Sequence, residues 1–537
     1  MNTNKEMPTL EIIFEDDPKV REMAVTEDYA LRILPSSWRW PKWGVLLAFW
    51  AFVSGMFYLV VAASLALEVG TQPVIIAMVL TVITYGLFGY YLAHEAATTG
   101  LSANLFSKRT AFGYTGSILL SLMYGTILLY YAVFEASVMA HSLFTIIPAI
   151  PLVIWYAIIS IIMIPVIWWG MTILERFNTW TIPLYVIGMI ACIVVTYIVT
   201  NGGYHGWLNY VPEKMPEHVV SAPWFYAFTA YMGVYVFFGV IPDYARFLKK
   251  EDISFGKWVI FGPVFFFFTF LVNGLIGIWL ALSIGKGFNA GVFIPAVMGI
   301  WGTIFIMITQ VRINTGNLYG SSVSLANFFA KAFKIAIPRK IWVVIIAGIM
   351  FLVMLTNVLD WLNLALRLQG ITMVGWVAVI MPYIWFFKKR LTKKETIENE
   401  YRRSHLAHYN RGGLAGLILG SAAGAYLQFF GGALGSIWAP VTTFVVAFAL
   451  TIIIGYATGL TDYKDKYAGK GILSEVDNFL EARINCSVCG LHYLAFDMER
   501  CPFLKNNPIC SICCLKNSTC GEICKNTSVV GGVSAEA

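Results

Sequence analysis

"TQVRINTGNLYGSSVSLANF", residues 309–328, continues the apolar run "GVFIPAVMGIWGTIFIMI", residues 291–308, with no turn between them. The reading places Arg312, Asn314, Asn317 and several hydroxyls inside a membrane-spanning helix. An ionised side chain at mid-membrane costs about 2.5–3.5 kcal/mol on insertion scales, so a charge there is a functional candidate by default. Asn314, Asn317 and Ser321 recur at helical spacing beside Gly316 and Gly320, forming a polar stripe. Such a stripe cannot face lipid and must meet a partner helix or a wet cavity.

A second intramembrane charge, Glu135, lies in "YGTILLYYAVFEASVMAH", residues 124–141, with Tyr131 one helical turn before it on the same face. Its carboxylate can take up a proton, pair with Arg312 or accept hydrogen bonds from a ligand. The rival reading of both charges is a buried structural ion pair.

The rest of the chain supplies the membrane context. Its 537 residues are 58% hydrophobic and 12% charged, with a mean hydropathy of +0.71, far from the quarter or so of charged residues in soluble domains. Stretches of about twenty apolar residues recur, each able to cross a hydrocarbon layer roughly 30 Å thick as a helix. Barrel-type alternation is absent. The pattern predicts an all-α polytopic protein of about 12 transmembrane helices, centred near residues 55, 84, 130, 162, 190, 235, 270, 308, 348, 376, 420 and 446.

Lysine and arginine cluster in the even-numbered connections, from Lys108 and Arg109 to the run between Lys388 and Arg411. The positive-inside rule then puts both termini in the cytoplasm of a cell (inner) membrane protein. That bias absorbs most of the net charge of +7, so no nucleic-acid partner is read from it. The first forty residues are acidic, with no signal-peptide pattern. Three regions follow: a cytoplasmic N-terminal arm (1–40), a transmembrane transporter domain (41–459) and a cytoplasmic tail (460–537). No phosphate loop, metalloprotease motif or nucleophile elbow points to an enzyme.

Two spans contain residues that weaken a helix at mid-depth. "AFWAFVSGMFYLVVAAS", residues 48–64, carries Ser54 and Gly55, and "AYMGVYVFFGVIPDYARF", residues 230–247, carries Gly233, Gly239 and Pro242. Each is a place where a helix can unwind and free its backbone groups for substrate or ion. Each also suits close helix packing. Asp243 and Arg246, three residues apart, read as an interfacial ion pair.

With "TGLSANLFSKRTAFGYTGS" (99–117), "PDYARF" (242–247) and "NTGNLYGSSVSLANF" (314–328), the sequence resembles the nucleobase:cation symporter-1 family of cytosine, purine, allantoin and hydantoin permeases, over about residues 40–455. The resemblance implies a leucine-transporter-type fold, with a 5+5 inverted repeat plus two helices, and a secondary active or facilitated transporter of a planar heterocycle. Family members hold the ring between the broken first and sixth helices and the third and eighth. That pattern implies a substrate site at Gly55 and Tyr58, Tyr131 and Glu135, Tyr235 and Phe237, and Asn314 and Asn317. Stacking suits any planar base, and carboxylate and amide groups match the mixed donors and acceptors of its edge. Sodium-coupled relatives place two hydroxyl residues just ahead of the eighth-helix asparagine, where this chain has Arg312 and Ile313. A fixed guanidinium there repels sodium and supplies the charge permanently. Sodium-independent transport, proton-coupled through Glu135 or facilitated, is the expectation.

The tail differs in kind. "CSVCGLHYLAFDMERCPFLKNNPICSICCLKNSTCGEIC", residues 486–524, holds eight of the nine cysteines: Cys486, Cys489, Cys501, Cys510, Cys513, Cys514, Cys520 and Cys524. In a reducing compartment thiolate metal ligation is favoured over disulfides. Eight thiolates suit two tetrahedral zinc sites, an iron–sulfur cluster or a redox switch, with zinc as the leading cofactor. The segment, "CPFLKNNPICSICC" above all, is similar to one that follows the permease-like domain of some membrane sensor histidine kinases. That resemblance implies the alternative function of a transporter-like nucleobase receptor, signalling through its tail to a cytoplasmic protein.

Overall fold

The computed structural model describes residues 8–27, 31–168, 171–215, 219, 222–333, 335, 337, 339–392, 394–395, 398–465 and 472–516. Helices occupy all twelve expected positions. They are α1 (Lys42–Val69), α2 (Thr71–Thr99), α3 (Ile118–Ile146), α4 (Leu152–Trp168), α5 (Met171–Val199), α6 (Pro223–Met232 with Val236–Ala245), α7 (Lys250–Ile284), α8 (Ile300–Ala332), α9 (Arg339–Met354), α10 (Leu362–Arg390), α11 (Arg411–Phe430) and α12 (Gly432–Ala457). Eight are long and apolar enough to cross a bilayer on those grounds alone, and the bent α6 pair makes up to nine. The polar stripe of α8 lowers its hydropathy, which is why composition alone undervalues this span.

The two weakened spans are the two broken ones. In α1 the helix tightens to a 3₁₀ turn over Trp50–Ser54, Gly55 leaves helical geometry at φ −64°, ψ 128°, and helix resumes at Phe57. In α6 the two halves bend by 44° around Gly233. A Cβ on Gly233 would stand 2.2 Å from the Leu366 carbonyl oxygen of α10, so only glycine admits this approach. The breaks lie five spans apart, as two five-helix repeats require. Within the bundle α3 runs along α8, the second half of α1 packs on α7, and both halves of α6 pack on α2. The α11–α12 hairpin lies against α10.

The arm and the tail fold together. Strand β1 (Ile12–Ile13) pairs antiparallel with β2 (Arg483–Asn485), which pairs with β3 (His492–Leu494); β4 (Met498–Cys501) pairs with β5 (Asn507–Cys510). Val20 of the arm joins Ile472, Ile484 and Met498 in one core. This unit rests on the α10–α11 loop, where Arg402 Nη1 donates to the Met498 carbonyl (3.0 Å) and the Ser404 hydroxyl to Glu499 (2.9 Å).

Arg402 is fully buried against Glu400 (2.6 Å), with His405 and Asp465 around it. Burial alone would raise the Glu400 carboxyl, yet Arg402 and His405 hold it well below its ordinary 4.5. Its stabilising contribution is therefore present above the ordinary carboxylate value of about 4.5 and is lost as pH falls through the lowered one. Breaking such a pair strands a buried charge at a cost of about 3–5 kcal/mol. Arg402→Ala is expected to free the tail, read as proteolysis of the 472–516 region at neutral pH that the parent shows only in acid.

Candidate functional site

The breaks in α1 and α6 face each other across a cavity lined by Phe52, Phe57 and Tyr58 of α1, Leu128, Tyr131 and Glu135 of α3, Val234, Val236, Phe237 and Val240 of α6, and Ile313 and Asn317 of α8. Together with the open space that adjoins it, the volume not filled by atoms is about 320 Å³. Four rings form its walls: Phe57 meets Tyr131 edge-on at 4.9 Å, and Tyr58 stacks on Phe237 at 6.0 Å. The Tyr131 hydroxyl donates to the Gly233 carbonyl (3.5 Å), one of the backbone groups exposed by the α6 break. Among the lining residues, Glu135 and Asn317, with the two tyrosine hydroxyls, are the polar groups.

Glu135 is wholly buried. In the amide orientation that satisfies its neighbours, Gln310 of α8 donates Nε2–H to Glu135 Oε2, while its Oε1 accepts from the Met56 N–H (3.3 Å). The Phe57 N–H interacts with the same carboxylate. The acid thus sits at the N-terminal end of the resumed α1 helix, where free N–H groups and the helix dipole favour negative charge. A Cβ on Gly55 would lie 2.5 Å from Ile313 Cδ1 and 2.9 Å from Glu135 Oε1. Gly55 itself stands behind the cavity wall, so Gly55→Ala is expected to push Ile313 and Glu135 into the cavity and abolish the thermal shift produced by ligands, while the ligand-free protein still folds because the flexible Ile313 terminus can yield.

Arg312 is 1% exposed, and none of its three guanidinium nitrogens has a hydrogen-bond partner among the described residues. Its nitrogens make no bond to the Glu135 carboxylate. The pairing left open by the sequence is thus not made. Its electrostatic neighbour is Tyr185 of α5. The Tyr185 hydroxyl donates to Asn273 Oδ1 of α7 (2.7 Å), and Asn273 Nδ2 donates to the Val53 carbonyl at the α1 break (2.7 Å). Arg312 therefore borders the junction where α5, α7 and α8 meet the unwound turn of α1.

The polar stripe of α8 turns to α3. Asn314 Nδ2 donates to the Ala132 carbonyl (3.1 Å), Asn317 Nδ2 to Asn314 Oδ1 (3.3 Å), and the Ser321 hydroxyl to the Gly125 carbonyl (2.8 Å). Asn317 reaches the cavity, and Asn314 stands behind it as support.

The expectation for Tyr235 needs correction. It ends the break before α6 resumes, and its ring packs among Tyr85, Phe88 and Phe238 on the α2 side, away from the cavity. Phe237, two residues on, supplies the α6 ring. Phe57, Gln310, Tyr185 and Asn273 escaped the sequence reading; of these only Gln310, inside the decisive α8 stretch, carried a visible signal.

A second cavity lies towards the end of the bundle that carries the arm, lined by residues including Tyr124, Asp243, Tyr244, Arg246 and Asn327. It shares Phe52, Leu128 and Val240 with the first, so these three side chains are the partition between them. Asp243 accepts from the Ala103 N–H (2.9 Å), and Arg246 Nε donates to the Asp243 carbonyl (3.1 Å). At the opposite end Glu68 ties α1 to α6 and α10, accepting from the Tyr226 hydroxyl (2.6 Å) and Asn363 Nδ2 (3.3 Å).

In the tail, the sulfurs of Cys486, Cys489, Cys510 and Cys513 lie within 4.8 Å of one another. Cys501 and Cys514 stand outside this group, against the expectation that all eight act as ligands, and Cys520 and Cys524 lie outside the described residues.

No protein-family model matches the chain, and no curated protein sequence matches it. Solved structures do. An inward-facing conformation of Mhp1 aligns at 15% identity over 80% of this chain and 93% of its own, with a TM-score of 0.66. Mhp1 described as a nucleobase-cation-symport-1 family transporter, closed with bromovinylhydantoin bound, aligns at 15% identity, 80% and 95% coverage and a TM-score of 0.62. A Na+-coupled sialic acid symporter in a substrate-bound outward-open state aligns at 12%, 81% and 92%, with a TM-score of 0.52. At these identities the likeness establishes the fold, the leucine-transporter type with two five-helix repeats and two further helices.

Proposed function

We propose that the protein is a nucleobase:cation symporter-1-like transporter of a planar heterocycle, moving a nucleobase, hydantoin or related ring by alternating access around the α1–α6 cavity. The observation that carries this reading is the cavity itself: rings from Tyr131, Tyr58 and Phe237 frame a slot with Glu135 and Asn317 at its edge. Stacked rings favour a flat apolar face, and the carboxylate and amide select its polar rim. The fold shared with a hydantoin-bound transporter supports the same ligand class.

In this reading both termini face the cytoplasm, and the cavity beyond Phe52 is the cytoplasmic vestibule. Arg312 supplies, in fixed form, the positive charge that a coupling cation brings in sodium-driven relatives. Its burial without partners, beside the unwound turn of α1, supports that role. Transport is sodium-independent, either driven by protons through Glu135 or facilitated.

Purified protein screened by thermal shift against purines, pyrimidines, hydantoins and allantoin, at several pH values, tests the ligand class. Stabilisation by planar heterocycles but not by aliphatic amino acids or sialic acid is expected; the reverse selectivity refutes the reading.

A further inference from the structure

Four thiols of the tail form a compact set built from two C-x-x-C turns. Cys486 and Cys489 occupy the β2–β3 connection, closed by the Gly490 N–H to the Cys486 carbonyl (2.8 Å), with Gly490 at φ +70° as this turn requires. Cys510 ends β5 and Cys513 lies in the short helix after it. In a tetrahedral tetrathiolate site with Zn–S about 2.3 Å, the sulfurs stand about 3.8 Å apart. The four sulfurs here already lie within 4.8 Å of one another, so they reach that geometry by a small contraction.

The surroundings suit a negatively charged metal–thiolate centre. The Cys510 N–H donates to Cys486 Sγ (3.3 Å) and the Cys513 N–H to Cys510 Sγ (3.5 Å), the kind of outer contact that orients metal-bound thiolates. Arg32, buried, directs Nη2 at Cys510 Sγ (3.5 Å), lies over the Tyr493 ring (3.4 Å) and pairs with Asp497 (3.2 Å). One zinc ion with four thiolates carries a net charge of −2, and the guanidinium, shared with Asp497, places a positive charge beside it. Cys486 and Cys510 are buried while Cys489 is exposed, leaving an entry route.

We propose that Cys486, Cys489, Cys510 and Cys513 bind one zinc ion, and that this ion holds the arm, the tail and the α10–α11 loop together as a single clamp. The mechanical link is on hand: Asp497, beside Arg32, accepts from the Tyr401 and Ser511 hydroxyls, and the Tyr401 oxygen accepts from the Ile33 N–H (3.3 Å) just ahead of α1. So small a core draws much of its folding energy from the metal. The inference is independent of the transported substrate.

The test uses the full chain, purified without chelator. Elemental analysis should find zinc, and Cys489→Ser with Cys513→Ser should carry one equivalent less per chain than the parent, whereas Cys192→Ser, in α5, keeps the parental content. Should the double variant fail to fold, the parent alone decides. Cobalt-loaded parent should give the intense absorption of a tetrahedral tetrathiolate, and stripping the zinc should raise amide exchange at residues 12–13, 401–404 and 483–485. Zinc-free parent protein, iron with inorganic sulfide in its place, a disulfide among the four cysteines, undiminished zinc in a folded double variant, or unchanged exchange after stripping would each overturn the proposal.

Discussion

Arg312→Met is expected to stabilise the protein and to stop it transporting. The guanidinium is buried in the membrane domain with no hydrogen-bond partner among the described residues. Even buried ion pairs can often be replaced by apolar side chains of similar volume with no loss or with a gain of about 1–4 kcal/mol, and an unpaired charge has less attraction to lose. A residue kept solely for packing would show that gain at no functional cost. If Arg312 stands in for a coupling cation, its removal leaves the α1 break without the charge that organises it. Uptake should then fall more than tenfold in a better-folded protein. A stable Arg312→Met protein with parental uptake would reduce Arg312 to structure. Arg312→Ser, which removes the fixed charge and leaves a hydroxyl beside the α1 break, is expected to make uptake respond to sodium.

Glu135→Gln carries the second large effect. The amide keeps the volume and the contact with Gln310, so the fold should survive. What is lost is the charge at the N-terminal end of the resumed α1 helix and the ability to exchange a proton. Hydrogen bonds to a charged group contribute about 1.5–3 kcal/mol, so ligand affinity should drop roughly tenfold to a hundredfold. Any pH dependence of binding between pH 5 and 9 should flatten. Parental affinity with a parental pH profile would show that the carboxylate only caps the half-helix.

The sequence made the fold legible because hydropathy marks spans directly, and the helix-weakening residues at Gly55 and Gly233 marked the two breaks. Charge burial was equally direct: a span containing Arg312, or Glu135, has no stable place facing lipid. Register was harder. Tyr235 and Phe237 are two residues apart beside a break, and which of them meets the cavity depends on a turn geometry that periodicity does not encode. Pairing was hidden too, since Gln310 reaches Glu135 only because α3 and α8 run side by side, and Tyr185 and Asn273 become neighbours of the α1 break through packing alone. The tail's C-x-x-C pairs announced a site, while the partnership of β1 with β2 joins residues more than 450 positions apart and left no local trace.

The central claim is that a fixed guanidinium does the work of a mobile cation, and uptake of a labelled heterocycle found by the thermal-shift screen, into sealed vesicles holding the purified protein, tests it most directly. With sodium replaced by choline on both sides, the initial rate should be unchanged. A rate that collapses without sodium and rises with a sodium gradient would contradict it.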